Sequence, residues 1–254
     1  MKYFWLEESD IPEGVGFRLF GWEHIAVMMI ILTVVILVAG LYRKRMVLRR
    51  RILIFIAIML PLTEAARLLL LIAIRRFGIG HLPLHLCSVS IAAYPLYVLM
   101  KSGRIKAFLG DFNALVLLPA GLGAILFPDW TMYPVISFMS LSSFFWHLLQ
   151  ILLPLCIALA GEICPVVKII PGCTAALVLL TVPVYLFDIH FHCNYFFLLR
   201  PVPGPLEIVY DRLGPAGYLP DLAVMIVFIM LITCLAIRAV QSIERSGHGT
   251  AQEL

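Results

Sequence analysis

The sequence predicts an all-α, polytopic membrane protein with seven transmembrane helices, the N-terminus outside and the C-terminus cytoplasmic. Three observations predict it. The 254 residues are 62% hydrophobic and only 13% charged, with a mean hydropathy of +1.02. Apolar runs recur along nearly the whole chain, and a helix needs roughly 20 such residues to cross a bilayer. Ten-residue alternating segments, the mark of a membrane barrel, are absent, so helices must satisfy the backbone in lipid.

The expected spans are 22–41, 52–74, 82–100, 106–127, 133–160, 166–187 and 222–240. The fifth exceeds the usual length, so it is either tilted or begins as an interfacial stretch near Pro134. Residues 1–21 form an N-terminal segment; its start, MKYFWLEESDIPEG, carries Glu7, Glu8, Asp10 and Glu13 with no basic end before an apolar run, unlike a signal peptide. The membrane domain is 22–240, with an outer cap at 188–221 rich in proline, glycine and aromatic side chains suited to the interface. A cytoplasmic tail follows at 241–254.

Basic residues set the orientation. Arg43, Lys44, Arg45, Arg49, Arg50, Arg51, Lys101, Arg104, Lys106, Lys168, Arg238 and Arg245 share one side, against six on the other. Of the six, Arg75 and Arg76 are the discordant pair: they serve either as snorkelling anchors or as holders of lipid phosphate. The net charge of +4 reflects the cytoplasmic loops and implies no nucleic-acid partner.

A charge at mid-bilayer costs about 2.5–3.5 kcal/mol on insertion scales, so polar residues inside these runs line a site or pair with one another. Glu64 and Arg67 stand at i, i+3 on one face of the second helix. They form either a self-neutralising pair or a charged wall that meets a phosphate or carboxylate. The third span opens HLPLHLCSVS at 81–90. Pro83 suits a first helical turn, which puts His85 and Cys87 where a helix dipole favours a thiolate. Cys87 is then a nucleophile or a packing residue. His85 lies about 200° around the helix from it and cannot serve as its base.

His147, in SSFFWH at 142–147, is the histidine in the middle of a span. It is either a helix–helix hydrogen-bonding residue or the base for Cys87. Depth is an objection to the pairing, because Cys87 belongs near the outer edge and His147 far below it; if the excess residues of the fifth span protrude outward, the gap shrinks to a size that tilt could close. HFHCNY at 190–195 with His81 and His85 offers a four-imidazole set, but Pro83 spoils the spacing, so no metal and no cofactor is expected. Cys87 and Cys193 both fall outward, which leaves a disulfide open. Asn194 ties the cap to the bundle by hydrogen bonds or touches substrate, and Tyr195 is an interfacial aromatic or a substrate contact.

LPLHLC, the mid-span histidine, and NYFFLLRP followed by LGPAGYLPD together resemble the YwaF family of bacterial integral membrane proteins, related to eukaryotic transmembrane protein 164. The likeness covers roughly 52–240. The usual tryptophan near the last motif is replaced here by Ala216 and Gly217. The resemblance implies acyl chemistry. The eukaryotic relative is described as moving a fatty acyl chain between phospholipids through a cysteine thioester. More distant relatives are membrane hydrolases of fatty-acid esters that use a threonine and a histidine. The family cysteine falls on Cys87 and the histidine on His147.

The expectation is an intramembrane lipid acyltransferase or acyl-ester hydrolase. Cys87 and His147 carry the catalysis and His85 aids the oxyanion. Glu64, Arg67, Arg75, Arg76, Asn194 and Tyr195 bind substrate, and the partners are membrane phospholipids or fatty-acid esters. Two other classes stay open: a small-molecule or ion transporter with a Glu64–Arg67–His147 relay, and a non-catalytic membrane binding or assembly protein. The oligomeric state is not readable.

Overall fold

A computed structural model of the chain describes residues 2–202 and 204–250. Among these residues there are helices and no strands. The helices are α1 (Trp22–Lys44), α2 (Met46–Ala73), α3 (Ser90–Leu99), α4 (Arg104–Phe112), α5 (Leu118–Leu126), α6 (Phe138–Leu159), α7 (Ile170–Phe191) and α8 (Pro205–Thr250). Among the described residues six segments are long and apolar enough to cross a membrane. The remaining expected span, 82–100, takes the form of a shorter apolar helix, Leu86–Leu99.

Two layers of burial organise the bundle. In α6, 67% of the apolar window is buried, and in the crossing Arg104–Leu126, 56%. The windows of α1, α2, α7 and α8 are only 11–22% buried. α6 and the Arg104–Leu126 crossing form the core, and the others turn Leu, Ile and Val toward lipid. α4 and α5 make one crossing joined by a π-helical turn, Asn113–Leu117. Pro119 lacks the N–H that would bond the Leu115 carbonyl, so the ladder shifts register there. α8 is likewise broken, at Gly214, where φ is 65° and ψ 179°. The Pro205–Leu213 portion covers the bundle end and the rest runs through the membrane domain. Residues 251–254 of the expected tail lie outside the described residues.

Polar bonds pin the core where apolar packing alone would let helices slide. Tyr94 donates to the Gln150 carbonyl at 2.5 Å, and the Gln150 side chain donates to the Leu117 carbonyl at 2.9 Å. Gln241 donates to the carbonyls of Ala158 and Ile163 at the far end. At the other end the N-terminal segment is strapped down. Phe138 N–H donates to the Phe4 carbonyl at 2.8 Å, and Glu8 N–H donates to the Tyr133 hydroxyl at 3.1 Å. Arg76 pairs with Asp10. A Cβ on Gly16 would run into the backbone of Thr131 and Met132, so this segment needs glycine to lie so close.

Candidate functional site

The third crossing is short because its chain enters the bundle before it becomes helical. After α2 closes at Ala73, residues 74–85 descend from the end that carries the N-terminal segment. Two braces hold the descent. Arg67 forms a bidentate pair with Glu64 (3.0 and 2.5 Å) and also donates to the His81 carbonyl at 2.8 Å. Tyr195, which is buried, donates to the Ile79 carbonyl at 2.6 Å. The chain then enters a 3-10 turn, Leu86–Val89, that feeds α3. Among the described residues no carbonyl accepts from Leu86 N–H or Cys87 N–H, the leading donors of that turn.

This descent removes the depth objection. His147 lies nine residues into α6, about 14 Å along it at 1.5 Å per residue. The Cys87 sulfur reaches it: Sγ stands 3.3 Å from His147 Nε2. The other ring nitrogen, Nδ1, lies 2.7 Å from the Ser143 carbonyl oxygen. A carbonyl only accepts, so Nδ1 carries the proton and Nε2 is bare. The thiol therefore donates to Nε2. This neutral pair needs no buried charge, in place of the preformed thiolate that the helix dipole suggested.

Trp130, in the turn between α5 and α6, stacks on the imidazole at 5.0 Å between centroids and 13° between planes. It also meets Phe144 edge-on at 5.3 Å. Rotation of the imidazole would give up both the Ser143 bond and this stack. Gln150, about one helical turn beyond His147, is buried and donates to the Leu117 carbonyl at 2.9 Å.

The pair opens on a cavity of about 810 Å³. Its wall is polar toward the N-terminal segment, with Glu7, Glu8, Glu64, Arg67, His81 and Asp129. Between α7 and α8 it is apolar, with Leu177, Val178, Val182, Met225, Ile226 and Ile229. A hollow polar at one end and apolar at the other matches an amphiphile. Burial pushes the Asp129 carboxyl above its ordinary range, and Glu8 adds to the shift. Burial also acts upward on Glu7, but the hydroxyl and N–H of Ser9 and the nearby His81 hold that carboxyl below its ordinary value. A second hollow of about 320 Å³, among α1, α2 and α6, is lined by apolar side chains and Arg51.

The expected residues divide into two groups. Cys87, His147, His85, Glu64 and Arg67 line one cavity. The His85 ring lies against Tyr195 and Phe197 at 4.9 and 5.5 Å rather than on the sulfur. Arg75, Arg76, Asn194 and Tyr195 stand outside its wall, each for a visible reason. Arg75 is exposed at φ 57°, where it closes α2. Arg76 is held by Asp10. The Asn194 side chain folds the cap on itself through Leu199 and Arg200. Tyr195 braces the descending chain.

Cys87 faces His147 rather than Cys193, and all six cysteines are free. Among the described residues no group of three or more His, Cys, Asp or Glu could hold a metal ion, and the four-imidazole set does not converge. Sequence reasoning missed Ser143, Trp130, Asp129 and Gln150. A backbone carbonyl carries no sequence signal, whereas Asp129 and Trp130 in FPDW were visible as polar and aromatic residues between two spans.

A bundle of membrane-crossing helices that encloses a cysteine–histidine pair in a cavity polar at one end and apolar at the other defines a multi-pass membrane protein with an internal cavity. The family model described as the TMEM164 family matches residues 19–239, and the chain belongs to that family. The match agrees with the likeness read at LPLHLC. No curated protein and no solved structure matches the chain.

Proposed function

We propose that this protein transfers fatty acyl groups on membrane lipids through a Cys87 acyl-enzyme, with His147 as the base. The observation that carries the proposal is the 3.3 Å contact between Cys87 Sγ and a His147 Nε2 left bare by the Nδ1–Ser143 bond. The amphiphilic cavity supports a lipid ester as substrate. Its headgroup lies toward Glu7, Glu8 and Asp129, and its chain lies between α7 and α8. The basic-residue asymmetry supports an outside N-terminus, so the lipid enters from the outer leaflet.

The steps balance around one proton. Cys87 sulfur attacks the ester carbonyl as its proton passes to Nε2. The oxyanion meets the N–H groups of Leu86 and Cys87 that no carbonyl among the described residues holds, with His85 beside them. The ester C–O bond breaks, and the leaving alkoxide takes the proton from Nε2. The thioester is then attacked by a lysolipid hydroxyl or by water. Nε2 accepts the attacking proton and returns it to sulfur as the C–S bond breaks. Glu64 and Arg67 hold the wall and the descending chain in place. Their mutual pairing weighs against a mobile proton relay.

The test is acyl transfer from a radiolabelled phospholipid to an added lysophospholipid in reconstituted vesicles. Wild type transfers label, and Cys87→Ala and His147→Ala do not. Full transfer by Cys87→Ala would refute the mechanism.

A further inference from the structure

We infer that Asp129 holds the water that hydrolyses the Cys87 acyl-enzyme, which gives the site a hydrolytic branch beside acyl transfer. The inference rests on the acyl-enzyme reading above and adds a residue and an outcome to it.

Asp129 lines the same cavity as Cys87 and His147 and stands close enough to Cys87 to interact with it electrostatically. The next residue, Trp130, is stacked on the His147 ring, so the backbone holds Asp129 one residue from the side chain that covers the imidazole. Among the described residues its only hydrogen-bond donor is its own N–H. Glu7, by contrast, is occupied by Ser9 and His81. Asp129 is therefore exposed to the cavity but set deep in the fold. A carboxylate in that position keeps water unless a ligand replaces it.

The number of O–H bonds on the attacking group decides what Asp129 can do. Water has two. One proton goes to His147 Nε2, and the other O–H donates to the Asp129 carboxylate, which orients the oxygen toward the thioester carbon. The C–S bond breaks, sulfur recovers the proton from Nε2, and a free fatty acid leaves. Asp129 itself gains and loses nothing. A lysolipid hydroxyl has a single O–H, which His147 requires, so Asp129 gives that acceptor no comparable hold. The carboxylate therefore favours hydrolysis over transfer.

The experiment acylates the full-length protein in lipid nanodiscs with p-nitrophenyl decanoate and follows acyl-Cys87 by intact-mass spectrometry. Decay is measured in buffer and in nanodiscs doped with lysophosphatidylcholine, and free decanoate and acylated lipid are quantified. In Asp129→Asn the ratio of hydrolysis to transfer falls by at least ~10-fold, less than the ~10²–10⁴-fold of a proton-transferring group because Asp129 only orients the water. Asp129→Glu, which keeps a carboxylate, stays nearer to wild type. Should Asp129→Asn fail to reconstitute, Asp129→Ser carries the same expectation. An unchanged ratio in the carboxylate-free variant, including equal slowing of both branches, overturns the role of Asp129 and leaves the acyl-enzyme intact. Absence of acyl-Cys87 in wild type overturns the acyl-enzyme and this inference with it.

Discussion

The two segments that meet at the candidate site are built in opposite ways. α6 is continuous over Phe138–Leu159 and is the most buried crossing in the bundle. Its partner is an irregular descent, a 3-10 turn and the ten residues of α3. The difference has a chemical use. A continuous helix bonds its own N–H groups and can present a side chain such as His147 at fixed height. A helix that starts inside the bundle presents a side chain together with unspent N–H groups. Irregular backbone is tolerated at membrane depth where protein buries it or a cavity solvates it. Here the Glu64–Arg67 pair, Tyr195 and the polar end of the cavity meet that condition.

The comparison can be broken most severely at the contact itself. Cys87→Ala removes acyl transfer, and His147→Ala lowers its rate by at least ~100-fold, as measured by initial rates in vesicles. Next come the braces of the irregular segment. Glu64→Gln leaves Arg67 without its counter-charge, and loss of one member of a buried pair costs about 3 kcal/mol. Thermal unfolding in detergent should fall clearly, and Cys87 should become more open to maleimides. A variant as stable as wild type would mean that the pair does not hold the descent.

Single hydrogen bonds give smaller effects. Tyr195→Phe on the irregular side and Tyr94→Phe on the α6 side each lose about 1 kcal/mol. They should separate in activity: only Tyr195→Phe loosens the segment that carries Cys87 and slows transfer beyond its stability loss. Equal activity losses would show that the two sides are equally rigid. The smallest effect is expected from mild acid. Glu7 is held below its ordinary value of 4.5, so its contribution is complete above that value and is lost as pH falls through the lower folded value. Hydrogen exchange in residues 4–10 should rise over that window and stay flat between pH 6 and 8.

The regular side was the legible one. Long apolar runs marked α1, α2, α6 and α7 with ends up to six residues away, because a lipid-crossing helix leaves a strong compositional mark. The irregular side was legible only in part. LPLHLC pointed to Cys87, but the 82–100 span was read as starting at the membrane edge, since nothing in an apolar stretch tells a descending chain from a helix. The long final helix Pro205–Thr250 was divided at its prolines and glycines into a cap and the span 222–240, although the backbone breaks only at Gly214. At the site, side chains with strong chemistry were found and their supports were not. The tautomer of His147 is set by a backbone oxygen, which every residue possesses.

The most direct measurement is to trap the acyl-enzyme. Protein in nanodiscs would be exposed to an acyl-transferring lipid probe, digested, and mapped by mass spectrometry in wild type, Cys87→Ser and His147→Ala. The account predicts hydroxylamine-sensitive acylation at Cys87 in wild type, none at that position as a thioester in Cys87→Ser, and strongly reduced labelling in His147→Ala. Labelling of Cys87 no greater than that of the other five cysteines, or labelling untouched by His147→Ala, would contradict it.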